Sequence, residues 1–185
     1  MEFEVKIIEF LQSNALVGWI TFFQIITLLG SYLGFLITFI LLFCNNRKLS
    51  YAFIIGFCVV SVFNFCLKLI IKRDRPFVDN DTIANLDSED GFSMPSGHSM
   101  SAAFYATFLI FLFIKTFYQR SVQVMGSISA ILMTLFVAFS RMVLGVHYLT
   151  DTIVGMIVGI IFAIITILVY NTSRKKVKQK FENKQ

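Results

Sequence analysis

Charge is scarce in this chain. Only 15% of its 185 residues are Asp, Glu, Lys or Arg, against 57% hydrophobic residues and a mean hydropathy of +0.77, which excludes an ordinary soluble domain. Cysteine is sparse too. Cys44, Cys58 and Cys66 are odd in number and sit in or beside apolar runs, and nothing in them suggests a disulfide framework or a metal site. Small buried hydrophobes are the expected reading for all three. A basic n-region is missing from the start, Met1-Glu2-Phe3-Glu4-Val5-Lys6, so no secretory signal is apparent and the first membrane helix is expected to act as its own insertion signal. The acids Asp79, Asp81, Asp87, Glu89 and Asp90 match no EF-hand spacing and read as a solvated lid. The sequons at Asn80 and Asn171 read as chance matches.

What is present is a set of apolar runs, each long enough to cross about 30 Å of hydrocarbon. They predict an all-α integral membrane bundle of about five transmembrane helices: Leu16–Phe43, Tyr51–Ile71, Ser99–Ile114, Val122–Leu144 and Tyr148–Tyr170. Phe3, Ile7, Ile8 and Leu11 predict an amphipathic N-terminal helix lying on the membrane surface. One domain, 1–185, accommodates all of this, with an outer loop at 72–94 and a basic tail at 171–185.

Ten of the sixteen basic residues fall in two short turns (Arg47, Lys48; Lys115, Arg120) and in the tail from Arg174 to Lys184, where only Glu182 opposes them. The positive-inside rule makes these segments cytoplasmic and turns the 72–94 loop outward. The tail reads as a topology anchor for anionic lipid heads, and nucleic-acid binding is not expected of so short a run.

Three polar islands interrupt the apolar chain: Lys68 with Arg75-Pro76, Pro95-Ser96-Gly97-His98, and Ser140-Arg141 with His147 and Asp151. Each charge near hydrocarbon costs roughly 2.5–3.5 kcal/mol on insertion scales, so such residues default to function. All three islands fall at outward helix ends. His147 and Asp151 are four apart, so the carboxylate can take a proton from one imidazole nitrogen and leave the other nitrogen free to attack. Gly155 and Gly159 extend the same stripe and predict close packing by another helix. Pro95-Ser96-Gly97 reads as a helix start, where free N–H groups and the hydroxyl of Ser96 meet an anion. Lys68, Arg75 and Arg141 form a clamp suited to the charge that develops on a phosphoryl group. Lys72 and Arg73 are weaker candidates, as lid residues or solvated charges.

These motifs, Lys68-x6-Arg75-Pro76, Pro95-Ser96-Gly97-His98 and Ser140-Arg141-x5-His147-x3-Asp151, resemble the three-part signature of the type 2 phosphatidic acid phosphatase superfamily, which includes lipid phosphate phosphatases and vanadium haloperoxidases. The resemblance covers 68–151 and is specific as a triple. It implies His147 as the nucleophile that forms a phosphohistidine, Asp151 as its orienting partner, and His98 as the acid that protonates the leaving alcohol and then activates water. It further implies that Lys68, Arg75, Ser96, Gly97, Arg141 and Ser140 bind phosphate, with no metal or other cofactor. The expected activity is hydrolysis of a lipid phosphate (phosphatidylglycerophosphate, phosphatidic acid or a polyprenyl diphosphate) at the outer face of a cytoplasmic membrane. Phosphotransfer to another acceptor and non-enzymatic lipid transport are the alternatives. Oligomeric state is not legible.

Overall fold

The computed structural model describes Glu2–Glu182, with the backbone alone at 176–178 and 180–182. Eight α-helices make up the described residues, and no strand occurs among them: α1 (Glu2–Ser13), α2 (Val17–Thr27), α3 (Tyr32–Asn45), α4 (Arg47–Ile71), α5 (Pro76–Asp79), α6 (Gly97–Thr116), α7 (Arg120–Val143) and α8 (Leu149–Glu182). Of these, α4, α6, α7 and α8 are long and apolar enough to cross a membrane. They are the expected spans, and the chain is a multi-pass membrane protein. Ile55, Val62, Leu132, Ile161 and Val169 on α4, α7 and α8 are exposed, as lipid-facing side chains are.

The expected helix Leu16–Phe43 is broken. A 3-10 turn at Leu28–Gly30 and an irregular Ser31 (φ −124°, ψ −133°) separate α2 from α3. The cause is local packing. A Cβ at Gly30 would lie 2.9 Å from the carbonyl oxygen of His98 and 2.6 Å from Val137, so the chain bends where it must pass close behind the second polar island. Another difference is at the end of the chain: α8 continues through the tail to Glu182, and Lys184 lies outside the described residues. The three cysteines are exposed on the outer faces of α3 and α4, not buried as expected, because apolar residues of a bundle also cover its lipid-facing side.

Helix α6 is the axis of the bundle. Met100, Phe104, Tyr105, Phe108 and Leu112 are all buried, packed with Phe53 and Val60 of α4 and Ala163 and Ile167 of α8. Offset and edge-on aromatic pairs such as Phe53–Phe108 (5.2 Å, 78°) fill this core. Gly155 and Gly159 let α8 lie against the α6 backbone, since a Cβ at Gly155 would stand 2.5 Å from the Ser96 carbonyl and one at Gly159 would strike that of Met100. The close packing predicted from the stripe is therefore present, and its partner is the helix that begins at the second island.

Antiparallel connections then bring the C-terminal ends of α4 and α7 beside the N-terminal ends of α6 and α8. All three islands share that end of the bundle. Lys48, Lys115, Arg174 and Lys175 border one depression formed by the short turns and the end of α8. Helix α1 packs on the island end, where Ile8 is buried against Ile83 and Tyr148 while Phe3 and Phe10 stay exposed. Gly159→Ala is expected to lower the thermal unfolding midpoint in detergent, at a cost of about 1–3 kcal/mol from overpacking. Ile160→Ala, on the exposed side, should leave it nearly unchanged; equal midpoints for both variants would contradict this packing.

Candidate active site

The third island is shaped by the turn between α7 and α8. Gly145 takes φ +76°, and a Cβ there would meet the Gln12 side chain at 2.6 Å, so only glycine fits. The turn delivers His147 to the island end almost fully buried, with Nδ1 3.3 Å from Ser93 Oγ and 3.7 Å from Asp151 Oδ2. The expected histidine–carboxylate pair is thus partly relayed by a hydroxyl. Ser93 Oγ donates a short bond to Asp151 Oδ2, which also accepts from the Tyr148 amide at 2.9 Å. With Nδ1 turned to these partners, Nε2 is left for the cavity that His147 lines. Burial pushes the His147 imidazole down to about 3; Asp151 pulls the other way, and the cations Arg141, Arg75 and Lys68 reinforce the depression. The ring is therefore neutral at ordinary pH.

Around it stand the cations. Arg141 is completely buried, and Nη1 donates to Thr27 Oγ1 at 2.7 Å across from the broken α2. Its Nε has no hydrogen-bond partner among the described residues. Arg75 is 2% exposed and ties the first island to the third through Val146 O (3.1 Å) and to the loop through Gly91 O (2.9 Å). Lys68 Nζ donates a short bond to Phe92 O. The second island joins the third where the Ser96 amide donates to the Asp151 carbonyl at 3.0 Å.

Ser96 caps α6. Its hydroxyl is buried, accepts from the Ser99 amide as the expected cap, and pairs with Ser99 Oγ at 3.0 Å. A Cβ at Gly97 would lie 3.5 Å from Asn64 Nδ2, an ordinary contact. Ser140 is likewise turned inward, donating to Val137 O at 2.7 Å. His98 is 24% exposed on the first turn of α6 and borders the same cavity as His147.

The acidic loop departs most from expectation. Asp87 and Glu89 are not solvated lid residues. Glu89 reaches Arg141 Nη2 (2.7 Å), Arg75 Nη2 (3.1 Å) and His98 Nδ1 (3.4 Å), and Asp87 takes Arg141 Nη1 (2.7 Å). Two buried guanidinium groups require anionic partners, and these loop carboxylates are the anions beside them. Asp79 also has a structural partner, the Tyr148 hydroxyl at 3.0 Å. Arg73, the weaker candidate, donates to Asp151 Oδ1 at 2.7 Å. Lys72 ends α4 in the left-handed region (φ 49°) and is exposed.

Sequence reasoning passed over Ser93, Asn64 and Thr27. Ser93 stands two residues before Pro95 and Asn64 one helical turn before Lys68; both spacings were legible signals. Thr27 had none, since only the break after α2 brings it to Arg141.

The pattern of the PAP2 superfamily matches residues 47–175. This chain belongs to that superfamily. Phosphatidylglycerophosphatase B of Bacillus subtilis is 34% identical over 103 residues, covering 53% of this chain and 46% of that protein. An undecaprenyl-diphosphatase of Sulfolobus acidocaldarius is 28% identical over 142 residues, covering 76% and 65%. The chain thus spans about half to two-thirds of these relatives. The crystal structure of a transmembrane PAP2-type phosphatidylglycerolphosphate phosphatase from Bacillus subtilis superposes with a TM-score of 0.80 at 25% identity, covering 92% of this chain and 86% of that one. Aquifex aeolicus LpxE shares the fold, with a TM-score of 0.72 at 22% identity over 88% of this chain and 93% of that one. Family and fold place the chain among the membrane-spanning PAP2 proteins.

The depressed His147 has a consequence for acid stability. Unfolded, an imidazole takes up a proton below about pH 6.5, while the folded ring stays neutral down to about 3. Stability from this group is present above pH 6.5 and is lost as pH falls toward 3. His147→Asn should therefore lose less of its thermal midpoint than the unsubstituted protein between pH 7 and pH 4.5, measured in detergent. Parallel losses would contradict the assignment.

Proposed function

We propose that this protein hydrolyses the phosphate ester or diphosphate of a membrane lipid, through a phosphohistidine formed on His147. The observation that carries the reading is the site's own occupant: a carboxylate, Glu89, bridges two buried arginines and His98 beside a neutral buried histidine. An anion held there by Arg75 and Arg141 would meet Nε2 of His147 on one side and the His98 ring on the other. The unpartnered Nε of Arg141 is a further donor for it.

The steps follow from the groups present. His147 Nε2 attacks phosphorus as the bond to the leaving oxygen breaks (the alcohol of an ester or the inner phosphate of a diphosphate), and His98 gives that oxygen its proton. Asp151 and Ser93 face the Nδ1 side of the imidazolium and stabilise it. His98, now a base, takes a proton from water; the water oxygen bonds to phosphorus, the P–N bond breaks and phosphate leaves. Lys68, Arg75 and Arg141 supply fixed positive charge throughout, and the amide end of α6 at Gly97 adds its dipole. The reading requires no metal.

A lipid substrate is supported by the shape of the cavity, about 950 Å³ in volume. One end is lined by Lys68, His98 and His147; the other runs between α3 and α4 past Tyr32, Leu36 and Phe57. A head group and the start of an apolar tail match these two ends. With the basic turns cytoplasmic, the site opens at the extracytoplasmic side of a cytoplasmic membrane. The substrate is phosphatidylglycerophosphate, phosphatidic acid or a polyprenyl diphosphate.

A phosphate-release panel over those three lipids in mixed micelles, with and without chelator, tests the reading. His147→Ala should fall to background on every one, and chelator should have no effect; undiminished release by the variant ends the proposal. Because Glu89 competes for the arginines, Glu89→Gln should strengthen inhibition by inorganic phosphate about tenfold, equivalent to about 1.4 kcal/mol. An unchanged inhibition constant would mean that the carboxylate leaves the arginines at no cost.

A further inference from the structure

Asp151 has two oxygens, and the structure divides them between two tasks. Oδ2 faces His147, holding Ser93 and the Tyr148 amide. Oδ1 belongs to Arg73, whose Nη1 donates to it at 2.7 Å. The 3.7 Å separation of His147 Nδ1 and Asp151 Oδ2 gives little direct hold on the carboxylate, so its rotation is fixed mainly by these other partners.

Arg73 is itself held on three sides. Its guanidinium lies 4.0 Å over the Tyr148 ring, its Nη1 also donates to Thr150 Oγ1 at 2.6 Å, and its Nη2 pairs with Glu4 Oε2 at 2.8 Å. The other oxygen of Glu4 accepts from the Thr150 amide and hydroxyl, both at 2.8 Å. A carboxylate from α1 thus seals the first turn of α8, the helix that bears Asp151, and clamps the arginine that holds it. Helix α1 is locked in place to do so: Gln12 pairs with both the amide (2.9 Å) and the carbonyl (2.8 Å) of Ala84, and Glu9 accepts from Thr82 at 2.6 Å.

We infer that Arg73 and Glu4 are positioning residues for the Asp151–His147 pair, which makes the N-terminal helix a working part of the active site. Glu4 acts through Arg73: it sets where the fork stands, and the fork sets the rotation at which the Asp151 carboxylate faces His147. This inference rests on the reading of His147 as nucleophile.

A double-substitution cycle tests it, on whichever of the three lipid phosphates the unsubstituted protein hydrolyses fastest. Arg73→Ala should lower kcat about 100-fold and Glu4→Gln about tenfold, each with KM within about twofold, because neither residue touches the head group. The combined variant should be no slower than Arg73→Ala alone. If Arg73→Ala does not fold, Arg73→Lys takes its place in the cycle, since lysine keeps the charge but has no fork to span Asp151 and Glu4. A wild-type kcat for Glu4→Gln overturns the inference, as do losses that multiply in the combined variant or that appear in KM. His147→Ala runs alongside: if it retains turnover, the phosphohistidine reading fails, whereas an inactive His147→Ala beside a fully active Glu4→Gln sinks only the present inference.

Discussion

Two arginines with almost no exposure to solvent are the constraint around which this molecule is organised. Arg75 and Arg141 come from different segments, and neither can be left in an apolar bundle without an anion. That anion is Glu89, assisted by Asp87, and the loop between α5 and α6 is folded inward to supply it. A site that binds its own carboxylates this way is open to any stronger, multiply charged anion that can displace them.

The surrounding fold serves to bring these groups to one end. Helix α6 runs through the middle with its N-terminus at the arginines, and α8 lies against it because Gly155 and Gly159 present no side chain there. The break between α2 and α3 fits the same purpose, since it carries Thr27 to Arg141 and lets Gly30 pass behind His98. Glycine at the α7–α8 turn admits the left-handed backbone that turns His147 inward. The least regular parts of the chain are those that touch the reacting groups, a distribution expected where function overrides local preference.

Much of this was readable beforehand. Four of the five expected spans followed from apolar length and recur as α4, α6, α7 and α8, the last running on through the tail to Glu182, and the three islands followed from the cost of charge near hydrocarbon. Two kinds of feature were not readable. A 28-residue apolar run, Leu16–Phe43, gives no sign of the 3-10 turn that splits it, because the turn is dictated by a neighbour far along the chain. The fate of the loop acids was hidden for a related reason: Asp87 and Glu89 look like any solvated loop carboxylates until the arginines they serve are located. Arg73 lay beside a recognised motif, yet only the placement of Asp151 gives it its partner in the site.

The most direct test is a structure of the protein with vanadate bound. The account predicts vanadium bonded to Nε2 of His147, its oxygens on Arg75 and Arg141, and Glu89 swung away from both. Vanadate bound elsewhere, or the Glu89 bridge intact beside a His147 that makes no bond to vanadium, would contradict it.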